Sequence, residues 1–280
     1  MYVRRVQFAV KARAKLKKPR QMPYFPVAFT LILVLIAGAS CRRAPADEAG
    51  AVDSGDAQTA MERIGEADRL YAQRGDLAKA RQALSLLRQA RTADYGSYEA
   101  TWKLSRAAHY LGSHSTEEEG EELFREGIEA GKIAVALLDG RPEGHFWLGA
   151  NYGGSAELST LASLANVEDI RREMEAVIKI DETFQSGSAY MALGQLYLQA
   201  PRVLGGDTAQ ALEYLTKGIR IGPDNALMRL HLAEAYYEAG REGEARKQIE
   251  ILLAMTPSPD YLPEHADAVE GAKKLLEKLK

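Results

Sequence analysis

Residues 232–257 of this 280-residue chain, LAEAYYEAGREGEARKQIEILLAMTP, carry the clearest pattern in the sequence. Ala233 lies three residues before Tyr236, and Ala245 follows Tyr236 by nine residues. Small side chains let two antiparallel helices approach closely, larger ones fill the remaining gaps, and Pro257 ends the second helix. The stretch therefore predicts two packed helices joined by a short turn.

This pattern has the spacing of the tetratricopeptide repeat (TPR), and it recurs towards the N-terminus. The preceding unit carries the same residue types, but its tyrosine and alanine are fourteen residues apart because QAPRVLGGD adds five. The residues of that unit are Leu193, Gly194, Tyr197, Ala211 and Pro223. Further upstream a third unit opens on Leu148, Gly149 and Tyr152, and we expect the segment GGSAELSTLASLAN to form an extended turn before its second helix.

Two more degenerate hairpins precede these units, and the final segment DAVEGAKKLLEKLK predicts a capping helix, since the last repeat of a stack must face water. The sequence thus predicts an all-α, TPR-like helical-hairpin solenoid over residues 61–280. We expect about five hairpins, a C-terminal capping helix and long insertions within the hairpins.

Two short segments have a mechanical interpretation. In PRVLGGD, Pro201 ends one helix, Gly205 and Gly206 permit positive φ at the turn, and Asp207 caps the next helix by accepting backbone N–H bonds. The acidic run STEEEGEE, residues 115–122, is typical of a solvated first helical turn, where the helix dipole favours negative charge.

The first forty residues have the pattern of an export signal. They carry eight Lys or Arg and no acidic residue, and an apolar run at 27–40 ends directly before Cys41, the only cysteine. That run is shorter than the roughly 20 residues of a transmembrane helix and fits a signal peptide. Residues 41–60 lack large apolar side chains other than Val52 and predict a flexible tether.

The segment LIAGASC resembles a bacterial lipobox, which implies cleavage before Cys41 and lipidation of that residue. An ordinary signal peptide or membrane anchor is the alternative. The resemblance implies a lipid-anchored protein that faces the periplasm. Because no Asp directly follows Cys41, the outer membrane is favoured over the inner one.

Charge and motifs exclude several functions. Without the first forty residues the chain has a net charge of −11, against −3 overall, which disfavours nucleic acid as a partner. The sequence lacks G-x-S-x-G and H-E-x-x-H motifs, and its histidines do not have metal-ligand spacing. We therefore expect no enzyme, no metal and no cofactor, with a hydrolase of unrecognised site as the weakest alternative.

The segments RPEGHFWLGANYG (141–153) and LGQLYLQAPRVLGGDTAQALEYLTKGIRIGPDN (193–225) resemble the TRAP-transporter T-component (TatT) family of periplasmic lipoproteins. The resemblance implies a TPR-like protein that docks the periplasmic solute-binding protein, the P-component of a tripartite transporter. It also implies a possible homotrimer and an apolar channel that passes an apolar or amphipathic solute. A more distant likeness is to eukaryotic regulators of microtubule dynamics. The alternative function is a general TPR scaffold for protein–protein interaction in envelope assembly.

The stretch RPEGHFWLGANYGG, residues 141–154, supplies the first candidate binding residues. On a helix, Leu148, Gly149 and Tyr152 share a packing face with His145, which we expect to be a packed imidazole. Residues that point away from this face, and those at matching positions of the next two repeats, would line a groove for a ligand or partner. They are Phe146, Trp147, Ala150, Asn151, Met191, Gln195, Leu230 and Glu234. Core packing remains open for the two aromatic residues, and a structural cross-link for the asparagine.

Overall fold

The computed structural model describes residues 54–279, apart from the side chains of residues 54, 55 and 160–164. The described part contains eleven α-helices and three short 3₁₀ turns. The helices are α1 (Ser54–Tyr71), α2 (Leu77–Ala93), α3 (Tyr98–Ser113), α4 (Glu117–Leu137), α5 (Pro142–Leu158), α6 (Thr160–Ile180), α7 (Ser188–Gln199), α8 (Thr208–Ile221), α9 (Ala226–Glu238), α10 (Glu242–Leu253) and α11 (Leu262–Lys278). The predicted all-α fold is confirmed.

The helices form five antiparallel hairpins, α1–α2 to α9–α10, and α11 caps the last one. Among the first helices of the hairpins, α1 contacts α3, α3 contacts α5 and α7 contacts α9, whereas the described residues of α5 and α7 have no comparable contact. Within residues 54–279 the second helices have no mutual contacts of that extent. The first helices therefore form the inner, concave layer of the solenoid, and the second helices form its outer layer.

Helix starts follow from local chemistry. Thr116 accepts a hydrogen bond from the Glu119 backbone N–H, so the acidic run at 115–122 forms the first turn of α4, as predicted. Asp207 accepts from the backbone N–H groups of Ala209 and Gln210 at 2.8 and 3.2 Å, so it caps α8. Each cap satisfies donors that the first helical turn leaves unpaired.

The loop before α8 differs in one detail from its prediction. Ala200 has the extended backbone typical of a residue before proline, and α7 ends one residue earlier. Gly205 adopts a φ of +92°, but Gly206 is not among the residues with positive φ. Gly206 is required for space instead, because a Cβ there would lie 1.8 Å from the Ala200 carbonyl oxygen.

The expected extended turn of GGSAELSTLASLAN is wrong, because α5 continues to Leu158 and α6 starts at Thr160. The segment lacks proline and contains the good helix formers Ala and Leu, which explains why the insertion lengthens both helices. Its first residues also pack closely, since a Cβ on Gly154 would lie 2.2 Å from the Phe124 ring. The insertion therefore adds helical turns to the third hairpin, α5–α6, which we call hairpin 3.

The ordered domain begins earlier than predicted. Helix α1 starts at Ser54, inside the segment expected to be a tether, and Ala60 is only 1% exposed. The reason is that α1 needs this turn to cover α2 in the first hydrophobic cluster. Residues 1–53, with the predicted signal peptide and Cys41, lie outside the described residues. Within 54–279 none of the helices combines the length and apolarity that crossing a membrane requires.

The turn that leads into α7 has an unusual backbone. Gln185, Ser186 and Gly187 have φ values of 45°, 55° and 75°, so three successive residues are left-handed. The Ser188 hydroxyl donates to the Gln185 carbonyl at 2.7 Å. Gly222 gives this turn room, because a Cβ there would lie 2.2 Å from the Ser186 carbonyl oxygen.

Candidate functional site

Helix α5 lies in the middle of the inner layer and packs against α3, α4 and α6. Phe146, Trp147 and Asn151 are 6%, 9% and 0% exposed. The structure therefore places these three predicted groove residues in the core, because neighbouring helices cover α5 on nearly every side. Leu230 on α9 is buried as well, and its Cδ2 would lie 2.5 Å from a Cβ on Gly271 of α11.

The two aromatic residues of α5 join several elements. The Phe146 ring meets Trp147 at 5.0 Å and Phe184 at 5.5 Å, both edge to face. Trp147 lies 5.7 Å from the His109 ring of α3. Burial lowers the pKa of His109 to about 4, so this imidazole is neutral at pH 7. The cluster fixes α5 against α3 and against the turn before α7.

Asn151 is a cross-link between helices. Its Nδ2 donates to the Ser105 carbonyl at 3.0 Å and to the Trp147 carbonyl at 2.7 Å. The Ser105 hydroxyl donates in turn to the Gly127 carbonyl of α4 at 2.8 Å. A Cβ on Gly127 would lie 2.0 Å from the Asn151 Oδ1, so this contact depends on glycine. The amide thus connects α5 to α3 and, through Ser105, to α4.

His145 is a buried histidine whose two ring nitrogens both lie beside acceptors. Its Nδ1 lies 2.7 Å from Glu173 Oε2 on α6, and its Nε2 lies 2.9 Å from the Asp139 carbonyl. The hydrogen bond to Glu173 raises the pKa of His145. Burial opposes ionisation of Glu173, but hydrogen bonds from His145 and Arg172 outweigh it and lower its pKa. Both contacts suit the protonated ring, in which each nitrogen is a donor, and they join α5 to α6 and to the α4–α5 turn.

The residues of the repeat pattern take the places that helix packing requires. Leu148, Gly149 and Tyr152 are buried between α5 and its neighbours, and a Cβ on Gly149 would lie 2.7 Å from Met174 Cε. In the later hairpins five further small or apolar residues are buried at helix contacts: Leu193, Gly194, Ala211, Ala233 and Ala245. Tyr197 and Tyr236 are half-buried, and Pro223 and Pro257 are exposed beyond helix ends.

The other candidates remain partly accessible on the inner layer. Ala150, Met191, Gln195 and Glu234 are all half-buried. Gln195 and Glu234 meet through His231, which sequence reasoning missed as a site residue. The Nδ1 of His231 lies 2.9 Å from Glu234 Oε2 and 3.3 Å from Gln195 Nε2. The available signal was spacing, because His231 precedes Glu234 by three residues and so shares its helix face.

This polar cluster of Gln195, His231 and Glu234 offers an amide, an imidazole and a carboxylate where α7 meets α9. Such groups donate and accept hydrogen bonds and can recognise a polar segment of another molecule. Across residues 54–279 the structure has no group of three or more His, Cys, Asp or Glu arranged to hold a metal ion.

Comparisons with known proteins agree with this architecture. A family model described as regulator of microtubule dynamics protein 1-3 matches residues 63–199, and a tetratricopeptide-repeat model matches residues 204–262. The two matches are separated only by residues 200–203, in the loop before α8, and nearly all of α11 lies beyond them. The sequence resembled two families, and the one that a family model matches is the more distant of them, the regulators of microtubule dynamics. No curated protein matches the chain.

Solved structures show the same fold. The chain is similar to a thermophilic TPR protein of Thermus thermophilus, with 22% identity over 75% of this chain and 98% of that one, and a TM-score of 0.57. It is also similar to PilF of Pseudomonas aeruginosa, with 19% identity over 80% and 93% of the two chains, and a TM-score of 0.52. The chain is a TPR-like helical-repeat protein, a fold that supports protein–protein interaction.

Proposed function

We propose that this protein is an interaction scaffold that binds a protein partner on its inner layer, where α7 and α9 meet. The observation that carries the proposal is the polar cluster of Gln195, His231 and Glu234. Helix packing does not require it, because α7 already contributes apolar side chains, Met191 and Leu198, to the hydrophobic cluster that contains Met228 and Leu232 of α9. Protein–protein interfaces combine an apolar core with a polar rim, and the polar cluster beside the partly buried Met191 offers both kinds of group.

A photo-crosslinking amino acid at position 195 of the full chain tests this proposal in the native host. The matched control carries it at Gln210, which is exposed on the outer helix α8. We expect one defined partner to be captured from position 195 and not from 210, and to be lost in a His231→Ala variant that keeps its helical content. Equal capture at both positions, or capture unaffected by His231→Ala, would refute the proposal.

A narrower form of the proposal is that the scaffold is the accessory T-component of a TRAP-type transporter. Support comes from the resemblance of residues 141–153 and 193–225 to that family. The partner would then be the periplasmic solute-binding protein, and the assembly a homotrimer that passes an apolar or amphipathic solute. Neighbouring TRAP permease genes and recovery of the solute-binding protein at position 195 are the expected results. Recovery of envelope-assembly proteins alone would favour the general scaffold.

We also propose that a lipid on Cys41 holds the protein at the periplasmic face of the outer membrane. The support is the lipobox-like LIAGASC. Each buried CH₂ of a lipid chain contributes about 0.8 kcal/mol to membrane attachment, so several chains hold a protein firmly. Cys41→Ser should therefore release the protein from membranes, as measured by fractionation. Continued membrane binding of an unprocessed variant would contradict lipidation.

A further inference from the structure

The turn between α1 and α2 carries a buried arginine in an aromatic setting. Arg74 is 6% exposed, and its guanidinium lies 5.1 Å from the Tyr71 ring and 5.7 Å from the Tyr110 ring. His114 stacks on Tyr110 at 4.3 Å. We call Arg74, Tyr71, Tyr110 and His114 the arginine socket. All four residues belong to the first two hairpins.

The start of α11, at the other end of the described chain, fills this socket. The Arg74 Nε and Nη2 donate to the two Glu264 carboxylate oxygens at 2.9 and 2.7 Å, and Nη2 also donates to the Asp260 carbonyl at 2.6 Å. His114 Nε2 lies 3.5 Å from the Asp267 carboxylate. This two-pronged pairing is the strong form of guanidinium–carboxylate recognition. The socket is thus shaped for a carboxylate, with a second acidic group nearby.

The occupying segment, residues 260–267, is held differently from the rest of α11. The helix packs into the last hydrophobic cluster through Ala268, Ala272 and Leu275, which follow this segment. In contrast, Tyr261 and Leu262 are 48% and 53% exposed. Solvent also reaches the Glu264 side chain. Release of residues 260–267 would therefore leave the core of the cap intact and would uncover the socket with the buried rings of Tyr71 and Tyr110.

We infer that the arginine socket is a binding site for an acidic segment of a protein partner, and that Glu264 occupies it as an internal competitor. The inference rests on the proposed scaffold function and names the chemistry of one partner segment. That segment presents a carboxylate to Arg74 and a second acidic group to His114, as Glu264 and Asp267 do. Because the internal segment is tethered, it competes at an effective concentration of about millimolar order. The partner must therefore bind the open socket strongly to replace it.

The chain itself supplies the probe. A fluorescent peptide with the sequence TPSPDYLPEHADA, residues 256–268, is titrated against the full-length protein in detergent and followed by anisotropy. We expect at least tenfold tighter binding to Glu264→Gln than to the wild type, because the amide competes poorly for Arg74. Arg74→Met in the Glu264→Gln background should abolish binding, as should a peptide with Gln at position 264. Glu119→Gln, which removes the exposed partner of Arg81, is the control and should behave as the wild type.

A second measurement needs no substitution. Isotopically labelled wild-type protein is mixed with millimolar unlabelled peptide, and hydrogen exchange is read by mass. We expect faster exchange over residues 262–268 and unchanged exchange over 270–278. Equal peptide affinity for wild type and Glu264→Gln, binding that survives Arg74→Met, or unchanged exchange at 262–268 would overturn the inference. Neither measurement contains the partner sought from position 195, so a failure of this inference can be distinguished from a failure of the proposed function.

Discussion

The contact between α7 and α8 predicts that Gly194→Ala destabilises the protein. A Cβ at position 194 would lie 2.4 Å from Leu215 Cγ. Carbon atoms pack comfortably at about 3.5–4.0 Å, so the new methyl group is roughly 1 Å too close. Leu215 is fully buried and has no open space to enter. Either the two helices separate or Leu215 leaves its rotamer, and overpacking of this kind costs about 1–3 kcal/mol.

The net effect is smaller because alanine favours the helix over glycine by about 1 kcal/mol. With the steric cost near its upper limit, the free energy of unfolding should fall by about 2 kcal/mol. For a domain of this size that corresponds to a decrease in Tm of about 4–8 °C. Urea denaturation and thermal melting, both followed by circular dichroism at 222 nm, measure these quantities.

Gly153→Ala is the matched control, because it lies inside α5 and a Cβ there meets no atom within 4 Å. It should stabilise the protein by up to about 1 kcal/mol through helix propensity alone. In addition, Gly194→Ala combined with Leu215→Ala should cost less than the sum of the single changes, since the second removes the clash. If Gly194→Ala stabilises the protein as Gly153→Ala does, close helix approach is not the reason for this glycine.

Three further predictions concern single residues. Asp207→Ala should lower the free energy of unfolding by about 1 kcal/mol through loss of the α8 cap, and lost partner binding at unchanged stability would contradict that role. Ser186→Gly should raise the free energy of unfolding by about 0.5 kcal/mol. Relief of a left-handed non-glycine residue, worth about 1–2 kcal/mol, outweighs the added freedom of the unfolded chain. A lower free energy of unfolding, measured by urea denaturation, would argue against strain at this residue. The pKa of His145 is raised in the folded state, so its stabilisation is complete below about pH 6.5 and is lost as pH rises through the folded pKa. His145→Gln should reduce the dependence of the free energy of unfolding on pH, as measured by denaturation at several pH values. The part due to His114 should remain, because the pKa of His114 is also raised, mainly by its hydrogen bond to Asp267.

The hairpins were predictable because their determinants are local. The spacing from Tyr236 to Ala245, the cap at Asp207 and the break at Pro201 each act within one or two helical turns. The groove was less predictable, because helical phase identifies faces and not neighbours. Phe146 points away from the repeat's packing face, yet the turn that carries Phe184 covers it.

Contacts between residues far apart in the chain could not be predicted from the sequence, for a related reason. Arg74 and Glu264 are 190 residues apart, and their pairing depends on how far the solenoid curves. His231 reaches Gln195 only because α7 and α9 touch. In contrast, the packing role of Leu148 and Gly149 followed from the repeat pattern, which specifies contacts within one hairpin.

The left-handed turn before α7 also divides the molecule mechanically. Helix α6 has 21 residues and α7 has 12, so at 1.5 Å per residue α6 is about 14 Å longer than the helix that follows it. A stretching force applied along the chain meets less matched surface at this joint than between the hairpins on either side. The backbone strain of Gln185 and Ser186 relaxes when the joint yields, which further lowers the work of separation. Under load we therefore expect the solenoid to yield first between α6 and α7, once the Arg74–Glu264 contact that bridges the two parts has opened.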